Sequence, residues 1–167
     1  MNILAAPYFK KYLDLVQGKS IQVALIDSQQ ALLATLVGLS EEQWATRYEA
    51  QKWSIKEVLQ HIIDTERIFA YRALRIARAD KSPLLGYDDV AYNEAAEADY
   101  KTPKALMDEF NTTRLASISL YASFRPTELD RTGVANNFEV SVAATGLISA
   151  GHTLHHLNLI KTRYLKH

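Results

Sequence analysis

Three of the chain's five histidines fall in the stretch Gly151–Leu159, GHTLHHLNL. The same run carries Leu154, Leu157 and Leu159, with Ile160 following, a pattern that reads as a buried helix. His152 and His156 are four apart, so a helix stacks their imidazoles on one face with Cβ atoms ~5–6 Å apart. Two imidazoles so placed can share one cation, as the paired histidines of HExxH helices do, but that motif and its general base are absent here. Core packing explains the same spacing, and the pair alone does not separate the two readings. His155 stands three after His152 and about 100° round the helix from His156. It competes for the ligand role or sits at a boundary, bonded to backbone or water.

A further imidazole lies in EVLQHIIDTERIF. Val58, Leu59, Ile62, Ile63 and Ile68 surround His61, which places its ring on an apolar stripe. Alone it reads as a core histidine. Burying three uncompensated imidazoles is costly, however, and one shared cation would satisfy all three. Three protein ligands with an open position form the pattern of a catalytic site; a structural site is closed by four. The chain has no cysteine, which excludes disulfides, thiolate zinc sites, iron–sulfur clusters and a cysteine nucleophile. A metal is left to His, Asp, Glu or backbone, which points to zinc, nickel, iron, manganese or copper.

Supporting groups are few. Asp64, one turn after His61, is the candidate catalytic residue, able to orient a ligand or accept a proton. An ion pair with Arg67 or Arg72 is its plainer alternative. Tyr71 and Arg75 continue that face up to ~21 Å from His61, too far to touch a metal. Arg75 is a candidate for a substrate carboxylate at a cavity mouth, against a solvated helix face. Trp53 reads as a hydrophobic staple or core anchor. Tyr87 and Tyr92 line a pocket or pack in the core. Asn158 and Arg163 have no special claim, and His167, the last residue, reads as exposed and incidental.

These residues need helices to hold them, and the patterns are helical almost throughout. Ser20 caps IQVALIDSQQALLATLV, with Gly38 just past its end. SEEQ at 40–43 begins a short helical piece. Ser54-Ile-Lys-Glu57 is a capping box, which accounts for Glu57, and VLQHIIDTERIFAYRALRIARA then runs about six turns. Pro83 and Gly86 mark a loop, and a short helix follows at 89–97. Thr102-Pro103 opens KALMDEFNTTRLASISLYASF, which stops before Pro126. RTGVANNFEVS suggests a small hairpin, and Ser141 caps the last long helix. Four apolar stripes predict an all-α four-helix bundle with long connections, one domain over 1–167.

The 19 basic and 19 acidic side chains balance, and no basic stripe invites nucleic acid. Lys10 and Lys11 interrupt the N-terminal apolar residues, so no signal peptide is expected. No window reaches ~18 apolar residues, so neither a membrane span nor a membrane partner is expected, and a cytoplasmic protein is.

WSIKEVLQHIIDTERIFAYRALRIAR at 53–78 and ISAGHTLHHLNLIKTRYL at 148–165 resemble the DinB-like (YfiT-like) superfamily of bacterial proteins classed as metalloenzymes. The similarity is greatest to the branch with a GHxxHH element in its last helix. It extends over nearly the whole chain, including LLGYDDVAYN and RTGVANNFEVSV. It implies an antiparallel four-helix bundle, usually a homodimer, holding one divalent metal, zinc or nickel, on His61, His152 and His156. It further implies a small-molecule substrate and two reaction types, hydrolysis and S-transfer with a low-molecular-weight thiol as cosubstrate. A non-catalytic dimeric bundle stiffened by a structural metal is the competing expectation; it requires a fourth ligand from His155 or Asp64.

Overall fold

Serine and threonine N-caps set where the long helices begin. Ser20, Thr102 and Ser141 each accept a hydrogen bond from the backbone N–H three residues on, those of Val23, Ala105 and Ala144. Ser54 and Glu57 complete the capping box. Each such cap contributes about 1 kcal/mol.

The computed structural model describes residues 1–165, so the reading of His167 lies outside the described residues. In chain order the helices are α1 (Lys10–Leu13), α2 (Ile21–Leu36), α3 (Glu41–Trp44), α4 (Ile55–Ala77), α5 (Asp89–Ala96), α6 (Pro103–Ala122), α7 (Pro126–Leu129) and α8 (Val142–Leu159). A π-helical turn, Ile160–Tyr164, extends α8. Strands β1 (Thr132–Ala135) and β2 (Phe138–Ser141) pair antiparallel. Asn136 and Asn137 between them are both left-handed, with φ of 49° and 66°. That geometry gives a two-residue turn whose twist matches the strands. Among the described residues no helix is long and apolar enough to cross a membrane.

The expected four-helix bundle is formed by α2, α4, α6 and α8. α8 packs on α2 and α4, and α6 packs on the same two from the other side. α4 and α8 run antiparallel, Trp53 meeting Tyr164 and His61 meeting His152. α4 and α6 run in the same direction, since Gln60 meets Lys101 and Arg67 meets Glu109. Residues 78–102 recross the bundle and allow this. Within that segment Leu84 hydrogen-bonds along β1, to Val134 and Asn136, which fixes the neighbouring Gly86 and Tyr87 against the helices.

The apolar core has two parts, one around Trp44, Leu59 and Phe110 and one around Leu25, Phe69 and Tyr121. Arg114 lies where they meet. It is fully buried, and Glu66 is 2% exposed. Nε and Nη2 of Arg114 each donate at 2.8 Å to the Glu66 carboxylate. Nη1 donates to the Leu25 carbonyl and Ser28 Oγ, and Nη2 also to Thr153 Oγ1. One guanidinium thus bonds to α2, α4 and α8 from its seat on α6.

Replacing Glu66 by Ala leaves that cation buried without a counter-ion. The expected loss is about 3–5 kcal/mol, read as a lower denaturant midpoint. The double variant Glu66→Leu/Arg114→Met should recover much of it, because apolar packing replaces both charges.

Candidate metal centre

α4 and α8 bring His61, His152 and His156 together. The Nε2 of His152 lies 3.0 Å from that of His61 and 3.0 Å from that of His156. Each residue offers one ring nitrogen within 4.8 Å of the others. A neutral imidazole has one N–H and one lone pair, so a single Nε2 cannot serve two good in-plane hydrogen bonds. One cation, by contrast, can accept a lone pair from each of the three rings. Tetrahedral coordination with metal–nitrogen bonds of ~2.0–2.1 Å separates the nitrogens by ~3.3 Å, close to the two 3.0 Å separations from His152. Among the described residues no fourth His, Asp or Glu joins the cluster. Among the described residues the buried Nδ1 of His156 has no hydrogen-bond partner that would fix its tautomer.

Burial keeps the rings neutral, the form that can ligate. Desolvation pushes His61 down to about 4, opposed by the charge of Asp89. His152 and His156 lie well below their ordinary value, through desolvation first and then through the other imidazoles and Lys11. His155 is half-buried and lowered by burial, then by Lys11. Its ring meets Tyr12 and His156 edge-on and stays outside the cluster.

Two aromatic rings brace the ligands. Trp53 packs on His61 at 4.8 Å between centroids, and Tyr12 meets His152 edge-on at 5.3 Å. Tyr12 arrives on a segment for which the sequence pattern suggested no element. Residues 7–16 form short helical turns that dock on α8. Gly151 makes the docking possible, because a Cβ there would stand 2.1 Å from the Tyr12 carbonyl oxygen. The glycine beside His152 therefore serves close approach of a backbone.

His61 and His152 line a cavity of about 240 Å³ whose wall includes Thr65, Arg72, Tyr87 and Asp89. The Tyr87 hydroxyl and Thr65 Oγ1 are hydrogen-bonded at 2.8 Å. Tyr87 thus lines the pocket, and the exposed Tyr92 stacks on it at 5.2 Å.

The acidic and basic candidates sort differently from the order in the sequence. Asp64 accepts from Gln60 Nε2 at 3.0 Å and pairs with Arg67 at 3.6 Å, its ion-pair alternative, and it does not line the cavity. Burial raises its pKa, against the Gln60 hydrogen bond. Arg75 is bound to Asp80 and Tyr71, away from the histidines. Arg72 and Asp89 hold the cavity wall instead. Sequence marked residue 89 only as the start of a short helix; its approach to His61 depends on how residues 84–89 fold back.

A four-helix bundle with three converging imidazoles beside a cavity is the architecture of a candidate metalloprotein. The DinB superfamily profile matches residues 24–160, and the chain belongs to that superfamily. Two Oceanobacillus iheyensis proteins, named as inferred metal-dependent hydrolases, are 27% and 31% identical to it. The alignments span 78% and 76% of this chain and 76% and 73% of theirs. YfiT from Bacillus subtilis, described as a probable metal-dependent hydrolase with an unusual four-helix bundle topology, shares the fold at a TM-score of 0.75 and 13% identity. That match covers 96% of this chain and 88% of YfiT. A mycothiol-dependent maleylpyruvate isomerase shares it at 0.70 and 8%, covering 83% of this chain and 58% of the isomerase.

The buried neutral imidazoles make the metal-free protein acid-sensitive. Unfolded histidine titrates near 6.5 and folded His61 near 4, so the unfolded chain binds more protons between these values. Stability should fall as pH drops from about 6.5 towards 4, by on the order of 3 kcal/mol for His61 alone. Urea midpoints of chelator-treated protein across that window check it; a flat profile contradicts the burial of the cluster.

Proposed function

We propose that this protein is a divalent-metal-dependent enzyme acting on a small molecule, with His61, His152 and His156 as ligands and a vacant position towards the cavity. The observation that carries the reading is the meeting of three neutral imidazole nitrogens, two of them on residues of a cavity wall, with no fourth His, Asp or Glu joining them among the described residues. An all-nitrogen set suits zinc or nickel. Bound there, the ion supplies Lewis acidity, polarising a substrate oxygen and bringing the pKa of water to ~7. Hydrolysis is favoured by the names of the Oceanobacillus relatives.

The chain's own groups complete the site. Trp53 and Tyr12 hold two ligand rings in place. The Tyr87–Thr65 pair offers a hydrogen bond to a substrate oxygen. We assign proton acceptance to Asp89, a residue of the cavity wall whose charge acts on His61. Asp64, tied to Gln60 and Arg67, supports the seam between α4 and α6. A second reading uses the same vacancy for a thiolate, and the shared fold of the mycothiol-dependent isomerase supports it. A low-molecular-weight thiol is then the cosubstrate, and the reaction is S-transfer.

Protein purified without added metal should carry one zinc or nickel per chain by elemental analysis. His61→Ala should lose the metal and all turnover of activated esters and amides while keeping its helical circular dichroism. Asp89→Asn should keep the metal and lose about 10²-fold in turnover, with Asp64→Asn changing it far less. Turnover that appears only with added thiol selects the transfer reading. Metal-free wild-type protein that retains full activity sinks the proposal.

A further inference from the structure

α4 carries three arginines, and Arg78 caps its C-terminal end. Arg67 pairs with Glu109, Arg75 with Asp80 and Arg78 with Glu128. Arg72 makes no such pair among the described residues, although it is the most deeply buried of the four at 6% exposed. Its hydrogen bond goes from Nη2 to the Leu85 carbonyl at 3.0 Å. The guanidinium is otherwise held by ring faces, Phe69 at 5.3 Å and Tyr87 at 5.9 Å. Buried charges are normally matched, because leaving one uncompensated costs several kcal/mol. Here the unmatched cation is on the wall of the histidine cavity, and among the described residues it is the sole Lys or Arg there.

Its placement relative to the histidines is set by one helix. Arg72 follows His61 by eleven residues, three turns with an excess of ~20°, so both emerge on one face. Thr65 and Phe69 lie between them on that face, and both line the cavity. The Cα atoms are ~16 Å apart along the axis, and a helical side chain leans towards the N-terminus. Both side chains share that lean and arginine is the longer, so the guanidinium stands roughly 10–15 Å from the imidazoles along this face.

We propose that Arg72 binds a carboxylate of the substrate while the reacting group lies roughly 10–15 Å away at the histidine cluster. This rests on the reading of that cluster as a metal site. A single cation with unused planar N–H donors matches a monoanionic, planar group, which guanidinium grips with two parallel hydrogen bonds. Tyr87 and Thr65 line the path between the ends, so the substrate is elongated, with an anionic tail and a polar middle. Arg72 is thereby a specificity-determining residue, the role that sequence spacing offered to Arg75.

The test uses thiol-carboxylates of graded length on zinc-loaded protein, followed by calorimetry. In wild type, 8-mercaptooctanoate should bind roughly tenfold tighter than 8-mercaptooctanol, whereas 3-mercaptopropionate, too short to reach, should gain nothing over its alcohol. Arg72→Met should bind 8-mercaptooctanoate and 8-mercaptooctanol equally and keep its affinity for the alcohol, which shows that the variant is folded and metal-loaded. Arg72→Lys should restore part of the preference. Equal binding of acid and alcohol by wild type, or a preference that survives in Arg72→Met, overturns the proposal. If the protein takes up no zinc, octanoate titrated onto the metal-free chain decides separately. Binding lost in Arg72→Met upholds the carboxylate site and leaves only the metal reading to fall, whereas absent or unchanged binding overturns the carboxylate site as well.

Discussion

The buried guanidinium of Arg114 is the constraint on which the rest of the bundle depends. All its donor nitrogens are engaged, by Glu66, by Leu25 and Ser28, and by Thr153. Replacing such a pair with apolar side chains need not cost net stability, so its value is not a large favourable energy. Its effect is on alternatives. Sliding any of the three partner helices by one turn strands a buried charge or a buried donor, at a cost of several kcal/mol. The register of α4 against α8 is therefore fixed at Glu66 and Thr153. His152 is the residue before Thr153, and His61 is five before Glu66. The imidazoles converge because the ion pair next to them allows one alignment.

That alignment opposes the local preference of the cluster. Three neutral rings held against each other add no favourable charge interaction, and burial removes the water they would otherwise bind. Groups placed so are sustained by their surroundings, as strained functional sites commonly are. Tyr12 and Trp53 supply the walls, and Gly151 gives the room for Tyr12 to arrive. A cation at the centre would convert the least comfortable part of the core into one of its firmest.

Much of this was legible in the chain. Ser20, Ser54, Thr102 and Ser141 announce the long helices through local chemistry, a side-chain oxygen facing orphan N–H groups, and no tertiary information is needed to see it. Asn136-Asn137 announces the hairpin because few residues accept two consecutive positive φ angles. The spacing of His152 and His156 is likewise local. Residues 7–16 were not legible: their helical turns are too short to show a period, and docking on α8 holds them. Arg114 was hidden in the polar run NTTRLAS, where nothing marks a charge as buried. Asp89 was not legible as a candidate, because helix spacing points to the nearer Asp64 and only the fold of residues 84–89 brings Asp89 to the cavity. Arg72 and Arg75 both lie within about 40° of the His61 face, so angle alone could not choose between them. The choice is made by Asp80 and Tyr71, which take Arg75, and by Leu85, which holds Arg72 inward.

The end of α8 ties the two histidine-bearing helices together a second time. There the helix widens into the π-turn Ile160–Tyr164, a distortion found mostly as single turns and often near functional sites. The Tyr164 hydroxyl donates to the Trp53 carbonyl at 2.8 Å. Trp53 begins the approach to α4, and its ring lies on His61. A regular helical turn would place residue 164 at a different angle round the axis and carry the phenol away from that carbonyl. The widened turn thus acts on His61 through one hydrogen bond and one ring contact, while Arg114 acts on it through Glu66. Held from both ends of its helical face, the His61 ring has little freedom to leave the position where it meets its two partners.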